Sequence, residues 1–316
     1  MDQPIRSIHV VAGVITDARG RVLLARRSGG RDMAGLWEFP GGKREAGETS
    51  EAALVRELRE ELGIEAEVGE ALIEVPQLYP DKRLRLEVRR ITGWKGAPRG
   101  HEGQALAWVA PDRLTSYAMP PADRPVVGVL LHPDRYLVTP EPAADDEAWL
   151  SALERALGAG AARVQLRMRQ AAPARMRSLA ERAIALCRRA GADVLLNGDA
   201  QLARELGIGV HLRATQLREA IVRPLPKELP VAASCHDAGE LKAAQRIGCD
   251  FAVLGPVRET ATHPGADALG WESFAALREA VSLPIYAIGG LSPADIAAAR
   301  GQGAQGIAAI RSLWPA

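Results

Sequence analysis

Residues 41–64 hold the densest group of side chains in the chain that could do chemistry, in the order GGKREAGETSEAALVRELREELGI. Glu57, Glu60 and Glu61 are spaced i, i+3 and i+4, so a helix places them within about 100° of one another on one face. Three carboxylates this close repel one another, and hard divalent cations such as Mg²⁺ or Mn²⁺ would relieve the repulsion. The spacing predicts a metal site that activates water. Taken alone, the pattern also fits a solvated acidic face neutralised by the arginines of the same helix.

The helix that would carry these glutamates needs an apolar face and defined ends. An apolar stripe lies beside the glutamates and consists of Leu54, Val55, Leu58 and Leu62. Thr49 or Ser50 is a suitable N-cap and Gly63 a suitable stop, which predicts a helix from about Thr49 to Leu62. A glycine-rich loop precedes this helix. Strand-like segments surround it at residues 9–17, 21–27, 71–79, 84–94 and 103–111.

From Tyr136 onward, short β-like segments alternate with helical patterns. The β-like segments begin near residues 136, 162, 193, 209, 231, 251, 284 and 306, about 24 residues apart on average. This alternation requires right-handed parallel crossovers, and eight units fit a closed (β/α)8 TIM barrel. An open, doubly wound sheet is the alternative. The turn at His132-Pro133-Asp134 divides the chain into predicted domains 1–132 and 134–316.

Composition sets the broad class of the protein. A length of 316 residues exceeds what one core usually supports, so two domains are expected. With 40 basic and 39 acidic residues the net charge is +1, which gives no support to a nucleic-acid or anionic-membrane partner. Apolar runs are far shorter than a membrane span of about 20 residues. Three cysteines without metal-ligand spacing, together with no recognisable secretory signal, lead us to expect a reduced, cytoplasmic protein.

A known family shares the pattern of the glutamate-bearing segment. From Gly42 the chain fits G-x5-E-x7-R-E-U-x-E-E-x-G-U at every position, where U is a bulky aliphatic residue. This segment resembles the Nudix box, and the first domain is identified as a Nudix hydrolase. The resemblance implies an α/β/α sandwich with a mixed sheet and metal-dependent hydrolysis of nucleoside diphosphate derivatives. The segments WEFPGGK (37–43), YPD (79–81), GWKGAPRGHEGQ (93–104) and PPADRPV (120–126) further resemble the MutT branch, which hydrolyses oxidised guanine nucleotides.

The Nudix resemblance implies roles for individual residues. Glu57, Glu60, Glu61, Glu102 and the carbonyl of Gly41 would bind Mg²⁺ or Mn²⁺. Glu57 or a neighbour would act as the general base, and Arg56 would orient the carboxylates. Attack at the β-phosphorus would release a nucleoside monophosphate and pyrophosphate. Outside the resemblance, Glu102 is equally a surface charge on a loop.

The MutT branch also implies a site for the base. Substrate-binding positions of this branch are matched by Arg27, Glu38, Phe39, Pro40, Gly41 and Asp123. Taken without the resemblance, Arg27 fits a surface arginine and Phe39 a core aromatic. Bacterial MutT enzymes carry asparagine where this chain has Asp123, and Asp32 replaces a histidine near the glycine-rich loop. A carboxylate accepts hydrogen bonds but donates one only when protonated, so this exchange bears directly on base specificity.

The second domain resembles the family of thiamine-phosphate synthase and the TenI thiazole tautomerase, which are (β/α)8 barrels. Matching segments are VQLRMR (164–169), LLNGD (195–199), GVHL (209–212), ASCH (233–236), LGPVRETATH (254–263) and AIGG (287–290). A site for a phosphorylated thiazole or pyrimidine would then include Gln165, Arg167, Asn197, His236, Gly289 and Gly290. The adjacent glycines fit either a phosphate site or a tight turn. His236 fits either acid–base catalysis of tautomerisation or a strand-end histidine bonded to the backbone.

The barrel departs from the synthase pattern where metal ligands are expected. Gly198 stands where the family has a metal-binding aspartate, and residues 213–216, Arg-Ala-Thr-Gln, replace Gly-Gln-acidic-Asp. Mg²⁺-assisted displacement of pyrophosphate needs those carboxylates, so we expect the synthase activity to be lost.

Three functional hypotheses follow from the sequence. The leading one is hydrolysis of oxidised purine nucleoside triphosphates, for example 8-oxo-dGTP to 8-oxo-dGMP and pyrophosphate, which sanitises the nucleotide pool. The second is hydrolysis of thiamine-pathway diphosphates, because the barrel is fused to the same chain. In the third, the barrel is a separate module, either a tautomerase-like enzyme or a non-catalytic binding or structural unit.

Overall fold

A computed structural model describes residues 6–29, 32–260 and 267–315. The chain forms two compact units, one built mainly from the residues up to His132 and the other from Pro133 onward. Residues 261–263, the end of the family-matching segment LGPVRETATH, lie outside the described residues. Among the helices described, none is both long and apolar enough to cross a membrane.

The first unit contains two sheets in its described residues. The larger sheet has the strand order β4-β1-β6-β5 and consists of β1 (Arg6–Ile15), β4 (Gly41–Lys43), β5 (Glu65–Leu78) and β6 (Lys82–Lys95). β1 runs parallel to β6 and antiparallel to β4, so this sheet is mixed, as the sequence predicts. The smaller, antiparallel sheet consists of β2 (Val22–Arg26), β3 (Trp37–Glu38) and β7 (Leu106–Val109).

Helices cover both faces of the mixed sheet. Helix α1 (Ser50–Leu62) and helix α2 (Arg124–Leu131) pack against different cores, and a 3-10 helix lies at Pro111–Ser116. Successive side chains of β1 serve both cores: Val11 and Ile15 pack with α1, whereas Ala12 and Val14 pack in the cluster that includes α2. This alternation is the strand period of two, and it produces the predicted α/β/α sandwich.

Helix α1 begins and ends where the sequence predicts. The Thr49 hydroxyl accepts a hydrogen bond from the Ala52 N–H, at 3.2 Å, and so caps the first turn. Gly63 ends the helix in the left-handed conformation, with φ 67°. The buried face consists of Ala53, Leu54, Leu58 and Leu62, whereas Val55 of the predicted stripe is only partly buried.

The glycine-rich segment before α1 differs from the loop that the sequence predicts, since it contains the short strands β3 and β4. Gly41 pairs with Ala12 across the sheet. A Cβ on Gly41 would lie 2.1 Å from the Val11 carbonyl oxygen, so only glycine allows this close backbone approach. Pairing with β1, not local propensity, makes residues 41–43 a strand.

The second unit is a closed barrel of eight parallel strands in the described part of the chain, which excludes the open-sheet alternative. The strands are β8 (Arg135–Val138), β9 (Arg163–Leu166), β10 (Asp193–Asn197), β11 (Gly209–Leu212), β12 (Val231–Cys235), β13 (Phe251–Leu254), β14 (Ile285–Ile288) and β15 (Gly306–Ala309). The helices are α3 (Asp146–Gly158), α4 (Pro173–Arg189), α5 (Ala200–Leu206), α6 (Ala214–Glu219), α7 (Ala238–Arg246), α8 (Gly270–Arg278) and α9 (Ile296–Arg300), with a 3-10 helix at Pro293–Asp295.

Side chains fill the barrel interior. Tyr136, Phe251 and Tyr286 meet there with ring centroids 5.3–5.6 Å apart, and Leu195 lies in the same buried cluster. A larger apolar cluster joins the outer faces of the strands to the helices. The packed interior leaves the loops after the carboxyl ends of the strands as the surface where ligands bind in this architecture.

Replacing Gly63 tests how the end of α1 is held. A left-handed residue other than glycine costs about 1–2 kcal/mol, and a Cβ on Gly63 would also lie 2.4 Å from the His101 ring. Gly20 has a similar φ, 75°, with no atom within 4 Å of its added Cβ, so Gly20→Ala is a matched control. We expect Gly63→Ala to lower the free energy of unfolding of the first unit more than Gly20→Ala does, measured by hydrogen exchange of α1 in urea. Equal losses would mean that the His101 ring adds nothing to the cost of a side chain at position 63.

Candidate active site

Glu61 is a partly buried member of the glutamate group on α1. Its Oε2 accepts a hydrogen bond from the Gly41 N–H, at 3.4 Å. Burial raises the pKa of Glu61 to about 7, and the negative charges of Glu102, Glu38 and Glu57 push this pKa in the same direction. These four carboxylates therefore act on one another at the end of α1, although they come from three separate parts of the chain.

Arg56 holds the neighbouring carboxylates in place. Its guanidinium forms a bidentate ion pair with Glu48, at 2.8 and 2.9 Å, and its Nη1 lies 2.8 Å from Oε1 of Glu57. Hydrogen bonds from Arg56 lower the pKa of Glu48 to about 2. Glu60 lies 3.4 Å from the same Nη1 with its side chain 60% exposed, so it faces solvent more than Glu57, which is 15% exposed.

A loop fastened to the end of α1 brings Glu102 to this group. The N–H groups of Arg99 and His101 donate to the carbonyls of Leu62 and Glu61, each at 3.0 Å. Gln104 also donates to the Glu61 carbonyl, at 3.0 Å, and its Oε1 accepts the Glu102 N–H at 2.8 Å. Sequence reasoning missed the roles of His101 and Gln104, because a side-chain amide that ties a loop to a helix end has no spacing rule.

The donor set suits a hard divalent cation. Within the described residues, no three His, Cys, Asp or Glu side chains already converge closely enough to enclose a metal ion. The carboxylates of Glu57, Glu61 and Glu102 nevertheless share one negative field, as the raised pKa of Glu61 shows. Oxygen ligands of this kind are those that Mg²⁺ and Mn²⁺ prefer, and a cation among them would remove the repulsion. The residues therefore fit the metal that the sequence predicts.

A second group of predicted residues surrounds Asp123. The Phe39 N–H donates to Oδ1 of Asp123 at 3.2 Å, and both residues are buried. The Arg27 guanidinium pairs with the Glu38 carboxylate, and its Nε donates to the Asp32 carbonyl at 2.8 Å. Pro40 is also buried, and its carbonyl accepts the Gly13 N–H at 2.8 Å.

Burial changes the protonation state expected for Asp123, which is 6% exposed. Its pKa is raised to about 8, by burial first and by the charge of Glu38 second. At neutral pH Asp123 is therefore mostly a neutral carboxylic acid, which accepts from Phe39 and can donate from its hydroxyl. Tyr79 lies beside it, since its hydroxyl is hydrogen-bonded to the backbone of Ala122. Sequence reasoning named YPD only as a matching segment and did not assign Tyr79.

The barrel interior contains a chain of buried hydrogen bonds that sequence reasoning did not foresee. Asn197 donates to Gln165 at 3.2 Å, and Gln165 donates to the Tyr136 hydroxyl at 3.3 Å. Tyr136 is 3.1 Å from Nδ1 of His211, whose Nε2 is 2.9 Å from the Ser234 hydroxyl. Burial lowers the pKa of His211 to about 3, so the imidazole is neutral. Gln165 and Asn197 thus lie in one network, whose centre, His211, was not among the predicted residues.

His236 is held by a carboxylate. Its Nδ1 lies 3.0 Å from Oε2 of Glu240, which also accepts the His236 N–H at 2.7 Å. Glu240 is buried, and its other oxygen accepts from Arg218 at 2.5 Å. The ring of His236 therefore bonds to the Glu240 side chain. The sequence-based alternative, a strand-end histidine whose ring bonds to the backbone, is wrong in this respect. Nothing in the sequence pattern marks Glu240 as its partner.

The remaining barrel residues take different positions. Gly289 and Gly290 have φ values of 112° and 63°, and a Cβ on Gly289 would lie 2.7 Å from Cα of Pro256. This crowding is what the turn interpretation requires, and a phosphate role for these glycines stays a prediction. Arg167 lines a cavity at the carboxyl end of the strands, whose lining includes neither Gln165 nor Asn197.

Comparisons with known proteins agree with both resemblances. Residues 11–128 match the family model described as NUDIX domain, and residues 135–313 match the model described as thiamine monophosphate synthase. The CTP pyrophosphohydrolase of Escherichia coli (strain K12) is 43% identical over 123 residues, 39% of this chain and 90% of that protein. The 8-oxo-dGTP diphosphatase of the same organism is 35% identical over 126 residues, 40% of this chain and 98% of that protein.

The second unit has relatives of its own. The thiamine-phosphate synthase of Thioalkalivibrio sulfidiphilus (strain HL-EbGR7) is 34% identical over 182 residues, 57% of this chain and 86% of that protein. The predicted fusion of two families in one chain is confirmed. The chain belongs to the Nudix family through residues 11–128 and to the thiamine monophosphate synthase family through residues 135–313.

Proposed function

We propose that the first unit is a divalent-metal-dependent diphosphatase acting on nucleoside triphosphates. The observation that carries the proposal is the group of carboxylates around Glu61, whose mutual repulsion a divalent cation would relieve. Two relatives, one named CTP pyrophosphohydrolase and the other 8-oxo-dGTP diphosphatase, support hydrolysis of a phosphoanhydride bond as the class of reaction. Nudix hydrolases generally use divalent metal ions.

The residues of the group would bind the metal together, and one of the glutamates would also accept a proton. Glu57, Glu60, Glu61, Glu102 and the carbonyl of Gly41 would hold Mg²⁺ or Mn²⁺. When bound, the metal would supply Lewis-acid stabilisation of phosphate charge and a more acidic water. Arg56 orients Glu57, with its Nη1 2.8 Å from Oε1, and we assign to Glu57 or a neighbouring glutamate the removal of a proton from the attacking water. Attack at the β-phosphorus would leave a nucleoside monophosphate and pyrophosphate.

An oxidised purine nucleotide such as 8-oxo-dGTP is our proposed substrate. A purine that carries carbonyl groups presents acceptors on its edge, and protonated Asp123 would donate to one of them as an asparagine amide does. The neighbouring Arg27–Glu38 pair and buried Phe39 would complete the base site. CTP is a second candidate, because the relative named CTP pyrophosphohydrolase is 43% identical.

For the barrel, we propose that thiamine-phosphate synthase activity is absent. The activity that we propose in its place is acid–base catalysis on a phosphorylated thiazole. The His236–Glu240 pair supports the alternative, because the carboxylate fixes one ring nitrogen and leaves the other for a proton. A purely structural barrel would show no turnover that depends on His236.

Two glutamate substitutions test the metal site. We expect Glu57→Gln and Glu61→Gln each to lower kcat by roughly 10²–10⁴-fold, the range for a positioned acid–base group, and chelator to abolish wild-type activity. Glu51→Gln is the matched control, because Glu51 lies on the same helix and pairs with Arg89 outside the group. Pyrophosphate release from 8-oxo-dGTP measures all four conditions. Full activity in both variants would exclude the proposed site.

The pH profile tests Asp123. Because its pKa in the folded protein is raised to about 8, the donating acid form is present below that pH and is lost above it. We expect kcat/KM for 8-oxo-dGTP in the wild type to fall about tenfold by pH 9 relative to Asp123→Asn, whose amide does not titrate there. Parallel profiles from pH 6.5 to 9.5 would show that Asp123 does not act as a donor.

A substrate panel separates the candidate activities. We expect kcat/KM to be highest for 8-oxo-dGTP, because its base carries a C8 carbonyl that dGTP lacks and so offers protonated Asp123 an additional acceptor. The same measurement on dGTP, CTP and thiamine diphosphate supplies the comparison. A large preference for CTP would reassign the base site, and a large preference for thiamine diphosphate would favour the thiamine-pathway hypothesis.

A further inference from the structure

A cavity of about 350 Å³ opens where the barrel strands end, and its lining is almost entirely charged. The lining residues are Glu141, Arg167, Arg169, Gln170 and Arg213. Arg167 directly follows the last residue of β9, and Arg213 directly follows the last residue of β11. The cavity therefore lies at the carboxyl end of the strands, the end at which barrels of this architecture bind ligands.

Positive charge in this cavity exceeds the negative charge that faces it. Three guanidinium groups meet one carboxylate, that of Glu141. Glu141 already accepts the Gln170 N–H at 2.6 Å, and its other oxygen is 3.8 Å from Nη1 of Arg167, too far for a hydrogen bond. Burial and the charge of Arg169 lower the pKa of Arg167, as expected for cations crowded without enough counter-charge. In the described part of the chain, neither Arg169 nor Arg213 has an ion pair within 4.0 Å.

Arg213 is held in place by the turn after β10. A Cβ on Gly198 would lie 2.8 Å from Nε and 3.0 Å from Nη2 of Arg213, so the guanidinium packs directly on the glycine backbone. Gln216 fixes both partners, since its Oε1 accepts from Nε of Arg213 at 3.2 Å and its Nε2 donates to the Gly198 carbonyl at 2.6 Å. A side chain at position 198 would have to push this guanidinium aside.

This arrangement does not fit the metal that the barrel's family implies. The family's metal-binding aspartate is absent at Gly198, and the positive charge of Arg213 occupies the space beside it. A divalent cation here would face three guanidinium groups and a single carboxylate, the reverse of the oxygen-rich site that such cations require. An anion, in contrast, would find several N–H donors of matching charge.

We propose that no divalent cation binds at this end of the barrel and that the guanidinium of Arg213, packed on Gly198 beside Arg167 and Arg169, supplies in its place the positive charge that a phosphate or diphosphate group requires. Guanidinium groups bind phosphate oxygens in a bidentate manner, and two or more of them match the charge of a diphosphate. The volume is near the lower end of the range for small-molecule sites, about 300–1,000 Å³, and so leaves room for a compact phosphorylated molecule. Arg213 takes over the charge neutralisation that a metal ion would supply.

Calorimetry on the full-length protein in excess EDTA tests this site, with inorganic pyrophosphate and inorganic phosphate as probes. We expect saturable binding of at least one probe, weakened about tenfold or more in Arg213→Ala and in Arg167→Ala, because each variant removes charge-assisted hydrogen bonds. Arg246→Ala is the matched control, an exposed barrel arginine on α7 outside the cavity. Both substituted arginines lie at the surface or partly exposed, and circular dichroism verifies that each variant is folded.

The calorimetry distinguishes a diphosphate ligand, a monophosphate ligand and a failure of the proposal. Tighter binding of pyrophosphate than of phosphate assigns a diphosphate ligand, and equal binding assigns a monophosphate; both support the proposal. Binding that requires added Mg²⁺ would overturn it, and so would unchanged affinity in both arginine variants or no binding of either probe. None of these results depends on diphosphatase activity in the first unit, because the chelator removes the metal which that activity would need.

Discussion

The structure of the first unit depends on keeping several carboxylates close together at one end of α1. Glu61 is partly buried there within the field of Glu102, Glu38 and Glu57, and its raised pKa records the cost of that placement. Apolar burial and hydrogen bonds elsewhere in the unit offset the repulsion among these carboxylates. Leu54, Leu58 and Leu62 are fully buried on the adjoining face of the helix, and each such side chain contributes about 1.5–3 kcal/mol. Arg56 and the loop that carries Gln104 then fix the carboxylates in position.

Charge is arranged in the opposite sense in the barrel. Guanidinium groups gather at the carboxyl end of its strands, with Glu141 as their single acidic neighbour in the cavity. A net charge of +1 for the whole chain reveals neither concentration, because 40 basic and 39 acidic residues nearly balance over the full sequence. The overall charge gives no support to a nucleic-acid or membrane partner and says nothing about either site. In our proposals, local excess of one sign, held by backbone elements, selects a cation in one unit and an anion in the other.

The sequence predicts those features that depend on local periodicity and on caps. Helix α1 follows from its stripe and from Thr49 and Gly63, and all eight barrel strands follow from their regular recurrence. The strand β4 does not, because three residues, Gly-Gly-Lys, become a strand only through pairing with β1. The partners His211 and Glu240 were missed for a similar reason. Their roles come from contacts through space, Tyr136 and Ser234 for one and His236 for the other, which no spacing in the chain encodes.

Protonation is the property furthest from the sequence, and it changes how a substitution is interpreted. Replacement of asparagine by Asp123 looks like the loss of a hydrogen-bond donor when only residue types are compared. Burial reverses this conclusion, because a carboxyl group that is 6% exposed and close to Glu38 keeps its proton near neutral pH. The barrel shows the converse case, in which Gly198, Thr215 and Gln216 stand where the family has acidic residues and no burial effect can restore a negative charge. One departure from a family pattern thus preserves hydrogen-bonding capacity, whereas the other exchanges a cation site for an anion site.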